Sequence, residues 1–232
     1  MEAHKKLHRV GTRLGDVILG GQDGIVNVLG LVLGVAAASG SPRIIIAAAL
    51  STTFAESLSM AAVSYTSTQA NRDYYEGQVK LEKDHIRKFT DIEREEIRRI
   101  YQEKGFSGIQ LDDVVRTITA DVNRWVGVMM AEELKITPVE EGGALRSACI
   151  VGIAAIIGSL IPVFPFFGLP VWLAIGGSMF LAGLSLFVVG AYKAKVTVGV
   201  WWKAGLQLLA IGLVTAIVGY AIGTAVARFY AI

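Results

Sequence analysis

Five long apolar segments dominate the chain, and one polar segment separates the second from the third. No charged residue occurs between Arg146 and Lys193, or between Lys203 and Arg228. A helix needs about 20 apolar residues to cross a bilayer, and every apolar run reaches that length. We therefore predict an all-α integral membrane protein with five transmembrane helices, at 15–38, 43–68, 145–164, 168–191 and 204–228.

The polar segment predicts a helical insert, because apolar side chains such as Val114, Val115 and Ile118 recur in it at helical spacing. The second apolar helix continues into it without a proline. Thr90–Glu93 has the pattern of a capping box, and the glycines of KGFSG, 104–108, signal a helix end. These features predict three domains: 1–70 with two transmembrane helices, 71–143 as the insert, and 144–232 with three transmembrane helices.

Charge is distributed unevenly and predicts the topology. Residues 71–141 contain 16 acidic and 12 basic residues, whereas the rest of the chain is net positive. The first span follows directly after four basic residues, so the positive-inside rule places the N-terminus and the insert in the cytoplasm. Basic residues flank the spans instead of forming a patch with aromatics, which argues against a nucleic-acid partner. The four basic residues are Lys5, Lys6, Arg9 and Arg13.

Acidic side chains lie inside the first two apolar segments. An ionised carboxylate near the centre of a bilayer costs at least ~2.5–3.5 kcal/mol, so Asp23 and Glu56 should face each other, another helix or water. Met60 lies one turn after Glu56 and could add a soft ligand for a transition metal. Helical spacing also places Asp16 and Asn27 on the face that contains Asp23. We therefore predict a cation path through Asp16, Asp23, Asn27, Glu56 and Met60.

The insert contains three residue pairs at i, i+3 spacing, which directs two side chains toward one point on a helix. Carboxylates with a histidine suit divalent iron or manganese, and thioether sulfur disfavours calcium and magnesium. Solvated acidic pairs and buried core methionines are the structural alternatives for each pair. The candidate metal ligands are Glu82 with His85, Glu93 with Glu96, and Met130 with Glu133, together with Met129.

Taken together, these segments resemble the vacuolar iron transporter family. The resemblance rests on LGGQDGIVNVLGLVLGVAAA at 19–38, AESLSMAAVSYTST at 55–68 and RWVGVMMAEEL at 124–134, and it extends over nearly the whole chain. It implies a five-span homodimer that exports Fe²⁺ from the cytosol in exchange for protons, with a path between the protomers. No permanently bound cofactor is implied, and Mn²⁺, Co²⁺ and Zn²⁺ are other possible cargo ions.

The resemblance also implies individual roles. Asp23 and Met60 match path residues of the family, and the insert glutamates and methionines match its ligands. Two positions depart from the family pattern: His85 stands where relatives often have glutamate, and Ser64 stands where many have a membrane glutamate. We expect Glu56, two turns before Ser64 on the same face, to replace the missing acid.

The resulting hypothesis is a proton-coupled divalent-metal exporter in a plasma membrane, or in a vacuolar-type membrane if the source is eukaryotic. A second hypothesis is a membrane-tethered ferroxidase or iron-storage partner with a di-metal site in the insert. That site would need a second Glu-x-x-His element, but His85 is the only histidine of the insert. A third is a metal-regulated scaffold without transport.

Overall fold

The computed structural model describes residues 2–140 and 142–230, with side chains for 14–140 and 142–229. The basic side chains predicted to fix the N-terminus in the cytoplasm lie outside the described side chains. Within the described ranges the chain is helical and contains no strand. Its helices are α1 (Glu2–Ser39), α2 (Pro42–Lys88), α3 (Thr90–Glu103), α4 (Gly108–Thr119), α5 (Val122–Val128), a π-helical turn (Met129–Glu133), α6 (Gly143–Val163), a 3-10 turn (Phe164–Phe167), α7 (Val171–Val196) and α8 (Trp201–Tyr230).

Five of these helical segments are long and apolar enough to cross a membrane, as the hydrophobic pattern predicted. Gly40, with φ +60°, and Pro42 separate the first two. Prolines at 162, 165 and 170 separate the third from the fourth. The five segments are Leu14–Ser39, Pro42–Lys88, Gly143–Phe167, Val171–Val196 and Trp201–Phe229.

The chain forms two compact units: Met1–Tyr65 with Leu145–Ile232, and Thr66–Ala144. Helix α1 is central to the first unit and packs against α7 and α8. Its Val28 and Val32 are completely buried in a core to which α2, α7 and α8 also contribute.

Glycines allow α1 to approach two neighbouring helices at backbone contact distance. A Cβ atom on Gly158 of α6 would overlap the carbonyl oxygen of Gly21, and a Cβ on Gly20 would overlap that of Val151. Gly219 of α8 lies equally close to Gly30. Small residues at such crossings let transmembrane helices gain packing contacts where no hydrophobic force drives association.

The second unit is a small helical bundle with its own apolar core. Ile97 of α3, Val115 of α4 and Trp125 of α5 are buried together. Gly105, with φ +96°, ends α3 as KGFSG predicted. The amide of Phe106 donates to the carbonyl of Tyr101, and their rings are in contact, which is the hydrogen-bonding pattern of a Schellman motif.

The predicted capping box at Thr90–Glu93 is wrong. The helix begins at Thr90, but its N-cap residue is Phe89, which has no capping hydroxyl. The Thr90 hydroxyl instead donates to the carbonyl of Ile86 at 2.7 Å. Only one residue separates α2 from α3, so Thr90 remains within reach of the last carbonyls of α2.

We expect Gly158→Ala to destabilise the first unit, because the new methyl group would overlap the backbone of Gly21. Overpacking of this kind costs about 1–3 kcal/mol. The matched control is Gly176→Ala on α7, where a Cβ meets no atom within 4 Å. Thermal unfolding in detergent should show a lower midpoint for the first variant only; equal midpoints would contradict the close crossing of α1 and α6.

Candidate functional site

The first polar cluster lies between α1 and α2, inside the apolar segments. The side-chain amide of Asn27 donates a hydrogen bond to the Glu56 carboxylate. Asp23, one turn before Asn27, is close enough to Glu56 for the two carboxylates to interact electrostatically. The other Glu56 oxygen is buried, and none of the described side chains donates a hydrogen bond to it. Three of the five predicted path residues are therefore neighbours, with two carboxylates and one amide in a single cluster.

The other two predicted path residues occupy different levels. Met60 is half-buried one turn beyond Glu56 on the same face of α2. Asp16 is two turns from Asp23 along α1 and accepts a hydrogen bond from Ser147 of α6 at 2.8 Å. The five residues thus follow one side of α1 and α2 instead of forming a single cluster.

The second cluster lies in the second unit. Glu82, His85 and Glu93 each offer a ligand atom, and these atoms lie within 4.8 Å of one another. They line an open cleft of about 530 Å³, together with Glu96 and Glu133. The Nδ1 atom of His85 lies 3.7 Å from Oε1 of Glu93. Five of the predicted ligands therefore come together here, from the end of α2, the start of α3 and the π-helical turn. Their oxygen and nitrogen donors are suited to Fe²⁺ or Mn²⁺.

The cleft concentrates negative charge. Burial raises the pKa of Glu93 above its usual 4.5, and the nearby carboxylates of Glu96 and Glu82 raise it further. Partial desolvation and the same two carboxylates also raise the pKa of Glu133. One Glu93 oxygen is buried, and it accepts no hydrogen bond from the part of the chain that the structure describes. A cation that enters the cleft would relieve the repulsion and satisfy this oxygen.

The two methionines that were predicted as metal ligands do not line the cleft. Met129 and Met130 are 0% and 1% exposed, in the apolar core of the second unit beside Trp125. They lie at the start of the π-helical turn, which presents Glu133 to the cleft while the thioethers point into the core. In this conformation both methionines are therefore buried core residues, which is the structural alternative to a role as metal ligands.

The VIT family model matches residues 14–224. The chain belongs to the VIT family. Vacuolar iron transporter 1 of Eucalyptus grandis is 27% identical over 97% of this chain and 92% of its own length. Vacuolar iron transporter 1 of Tulipa gesneriana is 28% identical with the same coverage, and the vacuolar iron transporter of Plasmodium falciparum is 25% identical over 96% of this chain and 86% of its own. The VIT assignment identifies a multi-pass membrane protein that transports metal ions.

Two features of this VIT chain could not be predicted from local sequence patterns. Ser147 is a single hydroxyl near the start of the third apolar segment, where no local pattern shows which residue it contacts. The π-helical turn at Met129–Glu133 interrupts ordinary helical spacing, and Met130 is buried in the core while Glu133 lines the cleft.

We expect metal binding by the cleft to strengthen as pH rises from mildly acidic to neutral, because protons compete with the metal at carboxyl groups with raised pKa values. In the metal-free protein, the free energy of unfolding changes with pH in the opposite direction. Folded Glu93 retains a proton that the unfolded chain loses, so stability falls as pH rises through that interval. Mn²⁺ titration calorimetry and thermal unfolding of the full-length protein across this range measure both slopes.

Glu93→Gln should weaken Mn²⁺ binding and flatten the stability slope. Glu95→Gln is the matched control, since Glu95 lies on the same helix, is exposed and faces Arg98 at 3.6 Å. Similar Mn²⁺ affinities for the two variants would contradict the assignment of Glu93 to a metal site.

Proposed function

We propose that the chain is a proton-coupled exporter of divalent metal, Fe²⁺ first and Mn²⁺ second, that moves metal out of the cytosol. The observation that carries the proposal is the cluster of Asp23, Asn27 and Glu56 inside apolar helices. Two carboxylates and an amide at this position are costly unless they serve a cation or a proton. Relatives named as iron transporters over nearly the whole chain support iron as the cargo.

The second unit captures the metal in this proposal and is cytoplasmic. The carboxylates and His85 around its cleft replace part of the hydration shell of the ion. Ligands of modest strength then allow the ion to leave again, which transport requires and tight storage does not. The proposed membrane is a plasma membrane, and the N-terminus is on the same side as the second unit.

A homodimer fits the exposure of the polar cluster. Asn27 is exposed and Glu56 is half-exposed in one protomer, although both lie in apolar helices. Lipid is a poor neighbour for an amide and a carboxylate. A second copy of the chain, facing α1 and α2, would enclose these side chains in a shared hydrated path, with Met60 adding a thioether.

Proton exchange follows from the same groups. Metal binding at Asp23 and Glu56 displaces protons from carboxyl groups, and release of the metal lets protons return. Each transport cycle would then carry protons opposite to metal. The ferroxidase hypothesis is not favoured, because the relatives are transporters and the described metal-ligand cluster contains one Glu-x-x-His element.

We expect Asp23→Asn and Glu56→Gln to lower Fe²⁺ uptake into proteoliposomes by at least about tenfold, because each removes a ligand charge without changing side-chain size. Uptake is measured anaerobically under an imposed pH gradient, and Mn²⁺, Co²⁺ and Zn²⁺ are compared in the same assay. Mn²⁺ binding to the cleft should be unchanged in both variants.

Thr224→Ala is the control, because Thr224 lies on α8 and its hydroxyl bonds only within its own helix, to the Tyr220 carbonyl. Wild-type uptake by Asp23→Asn would reject the path. Uptake that does not respond to the pH gradient would reject proton coupling.

A further inference from the structure

A second hydrogen-bonded group connects three helices of the first unit. The Ser147 hydroxyl on α6 donates to Oδ2 of Asp16 on α1 at 2.8 Å. Its oxygen also lies 2.9 Å from the hydroxyl oxygen of Ser64 on α2. All three side chains are partly buried. This group is separate from the cluster of Asp23, Asn27 and Glu56.

The direction of the hydrogen bonds follows from the donors available. An ionised carboxylate only accepts, and a serine hydroxyl has one proton. Ser147 uses that proton for Asp16, so Ser64 must donate to Ser147. Each hydroxyl thereby polarises the next, and the bond to the carboxylate is charge-assisted.

Helix packing fixes this arrangement. Gly20 contacts the backbone of Val151, and Asp16 and Ser147 each lie one turn earlier on these two helices. On the other side of α6, Gly152 contacts Ala61 of α2, which brings Ser64 to the level of Ser147. The backbone contacts therefore leave the Asp16 carboxylate facing Ser147.

We propose that Ser147 is a positioning residue for transport, which holds the Asp16 carboxylate as a fixed oxygen ligand where the cation enters the bundle. This inference rests on the proposed function. An aspartate alone on a helix samples several rotamers, and fixing it reduces the entropy lost when an ion binds. Ser147 uses one lone pair of Oδ2, and a carboxylate has further lone pairs with which it can bind an ion. Ser64 holds the Ser147 hydroxyl in this orientation.

The test is the concentration dependence of Fe²⁺ uptake into proteoliposomes by Ser147→Ala and Ser147→Thr. Loss of one charge-assisted hydrogen bond at an entry ligand should raise KM about tenfold and leave the maximal rate within about twofold. Ser147→Thr keeps the hydroxyl and should restore the wild-type KM. If Ser147→Ala does not fold, Ser147→Cys supplies a weak donor of similar size and should show the same rise in KM.

Ser178→Ala is the matched control for loss of a buried serine hydrogen bond. Ser178 on α7 donates to the carbonyl of Pro162 at 2.8 Å, away from Asp16. This variant should lower the thermal midpoint and leave KM unchanged. In an Asp16→Asn background, Ser147→Ala should cause no further rise in KM, because the carboxylate on which it acts is already gone.

Two results would overturn the positioning role: a wild-type KM for Ser147→Ala, or the same rise in KM with and without the Asp16 carboxylate. Both leave the proposed function intact if the wild-type protein transports Fe²⁺. Absence of Fe²⁺ uptake by the wild-type protein would overturn the proposed function, and the positioning role with it.

Discussion

Backbone contact between α1 and its neighbours is the constraint on which the first unit depends. Gly20 lies against the backbone of α6, and Gly30 and Gly34 lie against α8. Sliding one helix along another would make backbone atoms overlap, because Gly20 and Gly34 each lie against a carbonyl of the neighbouring helix. The register that they impose decides which polar side chains of α1 meet partners on α2 and α6.

This register produces two groups of polar contacts, at two levels along α1. Asp16 meets Ser147, and two turns along α1 Asp23 and Asn27 meet Glu56. Both levels place carboxylate oxygens at one side of α1 and α2. In the proposed transport path, an ion passes between these levels by exchanging ligands stepwise. Weak, successive sites suit transport better than one strong site, since a tightly bound ion is released slowly. The acidic cleft of the second unit offers the same kind of ligands to an ion in water.

Patterns of sequence predicted much of the helical structure because their causes are local. The five apolar segments, the Gly40–Pro42 break and the glycine end of α3 follow from hydropathy, fixed φ angles and backbone hydrogen bonding. The capping box failed because α2 ends too close to Thr90. Helical spacing likewise brought Glu82 toward His85, but it could not anticipate the π-helical turn that separates Glu133 from Met129 and Met130.

The sequence alone predicted that the carboxylates of Asp23 and Glu56 are sheltered from lipid, because an ionised carboxylate near the centre of a bilayer is costly, and it added Asp16 as a third acidic candidate. Only the tertiary structure decided their partners. Asn27 and Glu56 are 29 residues apart, and Asp16 and Ser147 are 131 apart. Contacts at such separations depend on the axial register of packed helices, which the fit of glycines against carbonyls sets and which no local pattern encodes.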